Sequence, residues 1–243
     1  MNPELVLLLW TAFALGVIHT LLGPDHYIPF VAMSRAQGWS RTRTIGITLA
    51  CGIGHILSSV VLGATGAAFG MAFVRVLHLD SFREAMAGWF LIAFGLIYFA
   101  WGLQKSYRHL AHSHVHAHVD GIIHAHTHRH ERDHIHAHLP EAVSPTSAAA
   151  RLTPWVLFTI FVTGPCKPLI PLLIVPAARH SFEGALLVTV VFGIATLATM
   201  SFAVLACRAS LDHLPVERFQ RYSHALAGAA IALCGFAIRF LNL

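Results

Sequence analysis

Charge is what this sequence has least of. Asp, Glu, Lys and Arg make up 11% of its 243 residues, against about 25% in soluble domains. They are absent from residues 5–24, 44–74, 85–104, 184–207 and 222–238, and residues 152–178 contain only Lys167. Six such runs would leave a soluble helical protein little polar surface, which excludes that class. No CxxC pair occurs among Cys51, Cys166, Cys207 and Cys234, so a zinc ribbon or a disulfide framework is not indicated. A phosphate-binding GxxxxGK[ST] loop is also missing, which excludes ATP hydrolysis by that route. Glu4 stands where a signal peptide would carry basic residues, and the run continues into Gly23-Pro24-Asp25-His26 without a cleavage-like site. The first apolar run therefore reads as a retained helix.

What the chain does have is hydrophobic length. A bilayer core is about 30 Å thick and needs roughly 20 apolar helical residues to cross it. Six spans are expected, at about 4–33, 44–74, 85–105, 152–178, 183–207 and 221–242, with Arg239 snorkelling at the end of the last. The sequence is basic, with a formal net charge of +5. Its cations flank the spans, as topology signals do, and do not point to nucleic acid. Arg35, Arg41, Arg43, Lys105, Arg108, Arg151, Arg208, Arg218 and Arg221 fall on one side, and Arg75, Arg83, Arg179 and Arg239 on the other. The richer side reads as cytoplasmic. That expectation places both termini outside, the loop 106–150 inside, and the protein in the cytoplasmic (inner) membrane.

The two ends of the chain look alike. Gly23-Pro24 and Gly164-Pro165 are 141 residues apart, as are Gly52-Ile53 and Gly193-Ile194, while Gly88 and Gly95 match Gly228 and Gly235 at 140. The expected fold is thus an all-α membrane protein, with six transmembrane helices arranged as two inverted three-helix repeats whose first helices are broken. Residues 1–105 form the first repeat, 106–150 a His-rich loop, and 151–243 the second repeat. Discontinuous helices near the midplane are where such transporters bind substrate. Pro at the start of a new half-helix is well placed, because its missing N–H costs nothing there.

Polar residues inside the spans carry the chemistry. His19, Asp25 and His26 lie in HTLLGPDH, and His55 lies in CGIGHILSS. Ionisable side chains in hydrocarbon are costly and mark functional sites. Imidazoles and a carboxylate suit nickel, cobalt and zinc better than calcium. Cys166, in GPCKPLIP, either supplies a soft ligand or simply packs. Lys167 either pairs with Asp25 or snorkels. Gly23, Pro24, Gly164 and Pro165 form the breaks, and Thr196 and Thr199 either line the pathway or pack between helices. The expected metal ligands are therefore His19, Asp25, His26, His55 and Cys166.

From His109 to His138 the central loop carries twelve histidines. Most stand as HxH: His112, His114, His116 and His118; His124, His126, His128 and His130; His134, His136 and His138. Dense imidazole of this kind is an auxiliary divalent-metal binder. Such composition cannot build a core and is expected to be disordered or ordered by metal. The segment AVSPTSAAA after it reads as a flexible linker.

At HTLLGPDH, GHILSS and GPCKPLIPLL the sequence resembles the nickel/cobalt transporter superfamily. It looks closest to the compact six-span branch of urease-accessory nickel permeases and nickel/cobalt efflux proteins. The resemblance covers both apolar ends of the chain, and its hallmark is the His…Asp-His motif. Here five residues separate His19 from Asp25, one more than in many members. Lys167 follows Cys166 where relatives often carry an acidic residue. The resemblance implies a secondary transporter and not an enzyme. It has no catalytic cofactor; Ni²⁺ or Co²⁺ is the cargo, and Zn²⁺ shares the ligand chemistry. The implied partners are the metal ion, the bilayer and proteins of metalloenzyme maturation. Other readings are a non-transporting metal store or sensor, a thiol–disulfide relay through Cys166, and an anion exporter. Asp25 opposes the last, and the relay lacks a second cysteine at the matching position. Direction of transport and oligomeric state leave no mark in the sequence.

Overall fold

A computed structural model describes residues 3–68, 73–108, 112–117, 123–128, 145–164, 166–173, 182–212 and 221–241. The chain begins with α1 (Pro3–Leu22), a 3-10 turn (Pro24–His26) and α2 (Ile28–Ala36). Then come α3 (Arg41–Ala68) and α4 (Phe73–Arg108). A hairpin of β1 (His112–Ala117) and β2 (Ile123–His128) precedes α5 (Pro145–Thr163). A short helical stretch over 169–173 (α6) leads to α7 (Phe182–Asp212) and α8 (Ser223–Leu241).

Helices α1, α3, α4, α7 and α8 are long and apolar enough to cross a membrane. Their outward faces carry Leu7, Trp10, Ile97, Phe202 and Leu233, each more than half exposed. Thr20, Thr44, Thr48, Ser59 and Thr196 are instead buried. Apolar side chains outside and hydroxyls inside reverse the arrangement that water imposes, and exposed apolar surface on this scale matches a bilayer.

Six spans in two inverted three-helix repeats is not what the structure describes. Among the described residues five helices have membrane length, three before the hairpin and two after it. The difference lies in the run 152–178. Its only charged residue is Lys167, but its helix ends at Thr163, so the apolar helix it contributes is Leu152–Thr163. Twelve residues reach about 18 Å, short of a 30 Å core. The glycine matches have another use. A Cβ at Gly95 or Gly228 would collide with the backbone of Ala232 or Phe99, and Gly235 lies against the Gly88 carbonyl. These glycines let the backbones of α4 and α8 meet.

The central loop contains a two-stranded hairpin among its described residues. Its hairpin is antiparallel and pairs His112 with His128, His114 with His126 and His116 with His124. Residues 145–150 of the expected linker are the first turns of α5. Pro at N1 and three alanines favour helix there. His118, His130, His134, His136 and His138 lie outside the described residues, as does Pro165.

Candidate metal centre

Two helix breaks build the site. At the first, α1 stops at Leu22, and the Gly23 N–H closes its last turn on the His19 carbonyl at 3.0 Å. Gly23 is extended (φ −90°, ψ 95°), and Pro24 opens the 3-10 turn that carries Asp25 and His26. In an unbroken helix His19 and His26 would stand about 10.5 Å apart along the axis. Here their ring centroids are 4.6 Å apart. The approach requires glycine, because a Cβ at position 23 would lie 2.5 Å from His26 Nδ1 and 2.8 Å from Asp25 Oδ1.

The second break leaves the end of α5 with carbonyls that have no helical partner. Phe161 would normally accept from residue 165, but Pro165 has no N–H. His55 Nδ1 donates to this carbonyl at 3.2 Å. Val162 would accept from Cys166, whose N–H instead goes to Ser59 Oγ at 2.9 Å. Arg83 Nη2, reaching across from α4, donates to the Val162 carbonyl at 3.0 Å and to Ser58 Oγ at 2.8 Å. The cation also faces the C-terminal end of a helix, where positive charge is favoured. The Phe161 and Val162 carbonyls and the Cys166 N–H are thus each answered by a side chain of α3 or α4. Gly54 allows the contact, since a Cβ there would press on Val162 and Phe158.

The second break therefore orients His55, whose ring stands 5.2 Å from that of His26. One ligating nitrogen each from His19, His26 and His55 lies within 4.8 Å of the other two. His26 Nδ1 faces the Gly23 carbonyl and Asp25 Oδ1, both at 3.1 Å. Acceptors against Nδ1 of His26 and of His55 fix the proton on that nitrogen and leave the Nε2 lone pair free. The Nε2 atoms of all three histidines are buried and have no hydrogen-bond partner among the described residues. Three orphaned imidazole nitrogens on neighbouring buried rings are costly unless something binds them. A transition-metal ion fits the need. In a tetrahedral nitrogen site the donors stand about 3.3 Å apart, so no pair would have to close by more than about 1.5 Å around an ion.

The trio lines a cavity of about 430 Å³. Its wall includes Leu15, Ile18, Ile160, Phe161 and Ile238, and among the described residues it also carries Asp25, Glu84 and Lys167. Of the residues expected from sequence, Asp25 lines the cavity but supports His26 from behind. Cys166 does not line it; it is fully buried in a cluster with Leu169, Leu172, Val188 and Phe192. All four cysteines are free. Lys167 pairs with Glu84 and not with Asp25. Thr196 and Thr199 sit on α7 away from the cavity, Thr196 against Gly16 of α1. Glu84 and Arg83 are additions to the residues expected from sequence. The signal for Glu84 was its place beside an uncharged run, where it read as a boundary. Comparisons with protein-family models, with curated proteins and with solved structures found no match for this chain.

Proposed function

We propose that this chain is a secondary transporter that carries a divalent transition-metal ion, nickel or cobalt, across the cytoplasmic membrane. The observation that carries the reading is the set of three unpartnered imidazole nitrogens of His19, His26 and His55 inside a bundle of membrane-length helices. Nitrogen donors favour nickel, cobalt, copper and zinc over magnesium and calcium. Nickel and cobalt are preferred on the resemblance at HTLLGPDH, GHILSS and GPCKPLIPLL. The helix breaks supply a polar site at membrane depth, and alternating exposure of that site to the two sides would move the ion. The topology that fits the cation distribution has the His-rich segment in the cytoplasm, where it would collect or deliver metal, and both termini outside. The protein then supplies coordination and a path, with no catalytic step.

A storage role is the second reading, favoured by the register that pairs histidines across the hairpin. One measurement separates the two. Cells expressing the wild-type chain are compared, for cell-associated nickel and cobalt, with cells expressing His26→Ala/His55→Ala. More metal with the wild type means uptake, and less means efflux. Equal content of both metals, with both proteins in the membrane, refutes nickel/cobalt transport through this site.

A further inference from the structure

One pair of charges on the cavity wall takes no part in holding the three histidines. Glu84 on α4 and Lys167 just past the second break both line the cavity, and they form an ion pair with each other. The Glu84 side chain is largely buried at 19% exposure, whereas Lys167 is 51% exposed. An ion pair with one half-exposed partner adds little stability. The junction between α4 and the second break is already braced, because Arg83 holds Ser58 and the Val162 carbonyl and pairs with Asp80 at 3.5 Å. The Glu84–Lys167 pair thus faces the cavity without being needed to shape it.

The charges around the cavity suggest its use. Among the described residues two carboxylates line the wall, and Asp25 is committed to His26 Nδ1. Glu84 is held by the Lys167 ammonium. At equal distance a dication attracts Glu84 twice as strongly as an ammonium does, and it repels Lys167. The half-exposed Lys167 can swing away on its flexible stem, while Glu84 is fixed to a long helix.

We propose that Glu84 is the entry carboxylate for the divalent cation and that Lys167 is its tethered competitor. The ammonium neutralises Glu84 until a dication displaces it, and it returns to help expel the ion. Transport needs a site that is weak enough to leave as well as strong enough to enter, and Lys167 weakens it. This inference rests on the metal-transport reading.

The test is Ni²⁺ titration of the purified full chain in lipid nanodiscs, with the twelve histidines of residues 109–138 replaced by alanine so that only the membrane site reports. Lys167→Met should bind Ni²⁺ about tenfold more tightly, and Glu84→Gln about tenfold more weakly. The double variant should return to within about threefold of the parent, since both charges are removed together. Lys167→Arg, which keeps the charge, should match the parent. Unchanged or weaker binding by Lys167→Met, while His55→Ala still abolishes binding, overturns the role of the pair and leaves the metal site standing. If Lys167→Met does not fold, Glu84→Gln decides alone, and unchanged affinity overturns the proposal. A parent chain that binds no Ni²⁺, or binds it equally well after His55→Ala, overturns the metal reading itself.

Discussion

His26 and His55 stand with their rings 5.2 Å apart and nearly perpendicular, at 87°. Each turns its Nδ1 toward a protein oxygen next to a helix break: Gly23 and Asp25 for one, Phe161 for the other. The same two glycine-proline breaks that interrupt the helices therefore fix the tautomer of both rings and hold them side by side.

The Asp25 carboxylate supports His26 without joining the trio, and two substitutions separate its charge from its acceptor oxygen. Asp25→Asn keeps an oxygen for the Nδ1–H but removes the negative charge. It should weaken Ni²⁺ binding about tenfold. Asp25→Leu removes both and should approach the ~100-fold loss seen when supporting groups of metal ligands are deleted. Equal affinity for both variants and the wild type, titrated with the loop histidines replaced, would show that Asp25 does not hold His26 for metal.

Gly23 is required by space. A methyl group there would stand 2.5 Å from His26 Nδ1, well inside contact distance, so His26 must leave its position. Gly23→Ala should cost about tenfold or more in Ni²⁺ affinity, while helix content by circular dichroism stays unchanged because the helices already end at this point. Retained affinity in a folded Gly23→Ala chain would mean that His26 binds metal from another rotamer.

Arg83 joins three elements, and its removal should be felt in stability. Arg83→Met leaves the Val162 carbonyl unanswered and the buried Asp80 carboxylate without its cation. A loss of about 2–4 kcal/mol is expected, measured by denaturant unfolding in detergent micelles. Adding Asp80→Asn should recover part of it, because the uncompensated charge is then gone. No loss in the single variant would show that water satisfies these groups.

Much of the first break was legible in the residues themselves. Gly23 and Pro24 end a helix by local chemistry, and His19, Asp25 and His26 flank them within one short segment. The His55 contact was not legible, because nothing near position 55 says that α3 will pack against α5. The helix in the fourth apolar run is shorter than the run itself for a related reason. Hydropathy sums over Gly164-Pro165 and sees one span, whereas the helix stops at Thr163. Glu84 was hidden differently. It borders an uncharged run, yet α4 extends over Phe73–Arg108, about 54 Å of helix, and carries that border into the bundle.

By itself the sequence determined the kind of solvent and the chemistry on offer: long uncharged runs fit a bilayer, and imidazoles placed inside them are able to hold a metal ion. These are properties of composition and local order, since transfer free energy and the missing N–H of proline belong to individual residues. Only the tertiary structure decided which nitrogens meet. The distances among His19, His26 and His55, the capture of the Phe161 carbonyl by His55, and the choice of Glu84 over Asp25 by Lys167 all join distant segments. Such pairings depend on how helices cross, and crossing is set by the sum of many small contacts along the whole bundle.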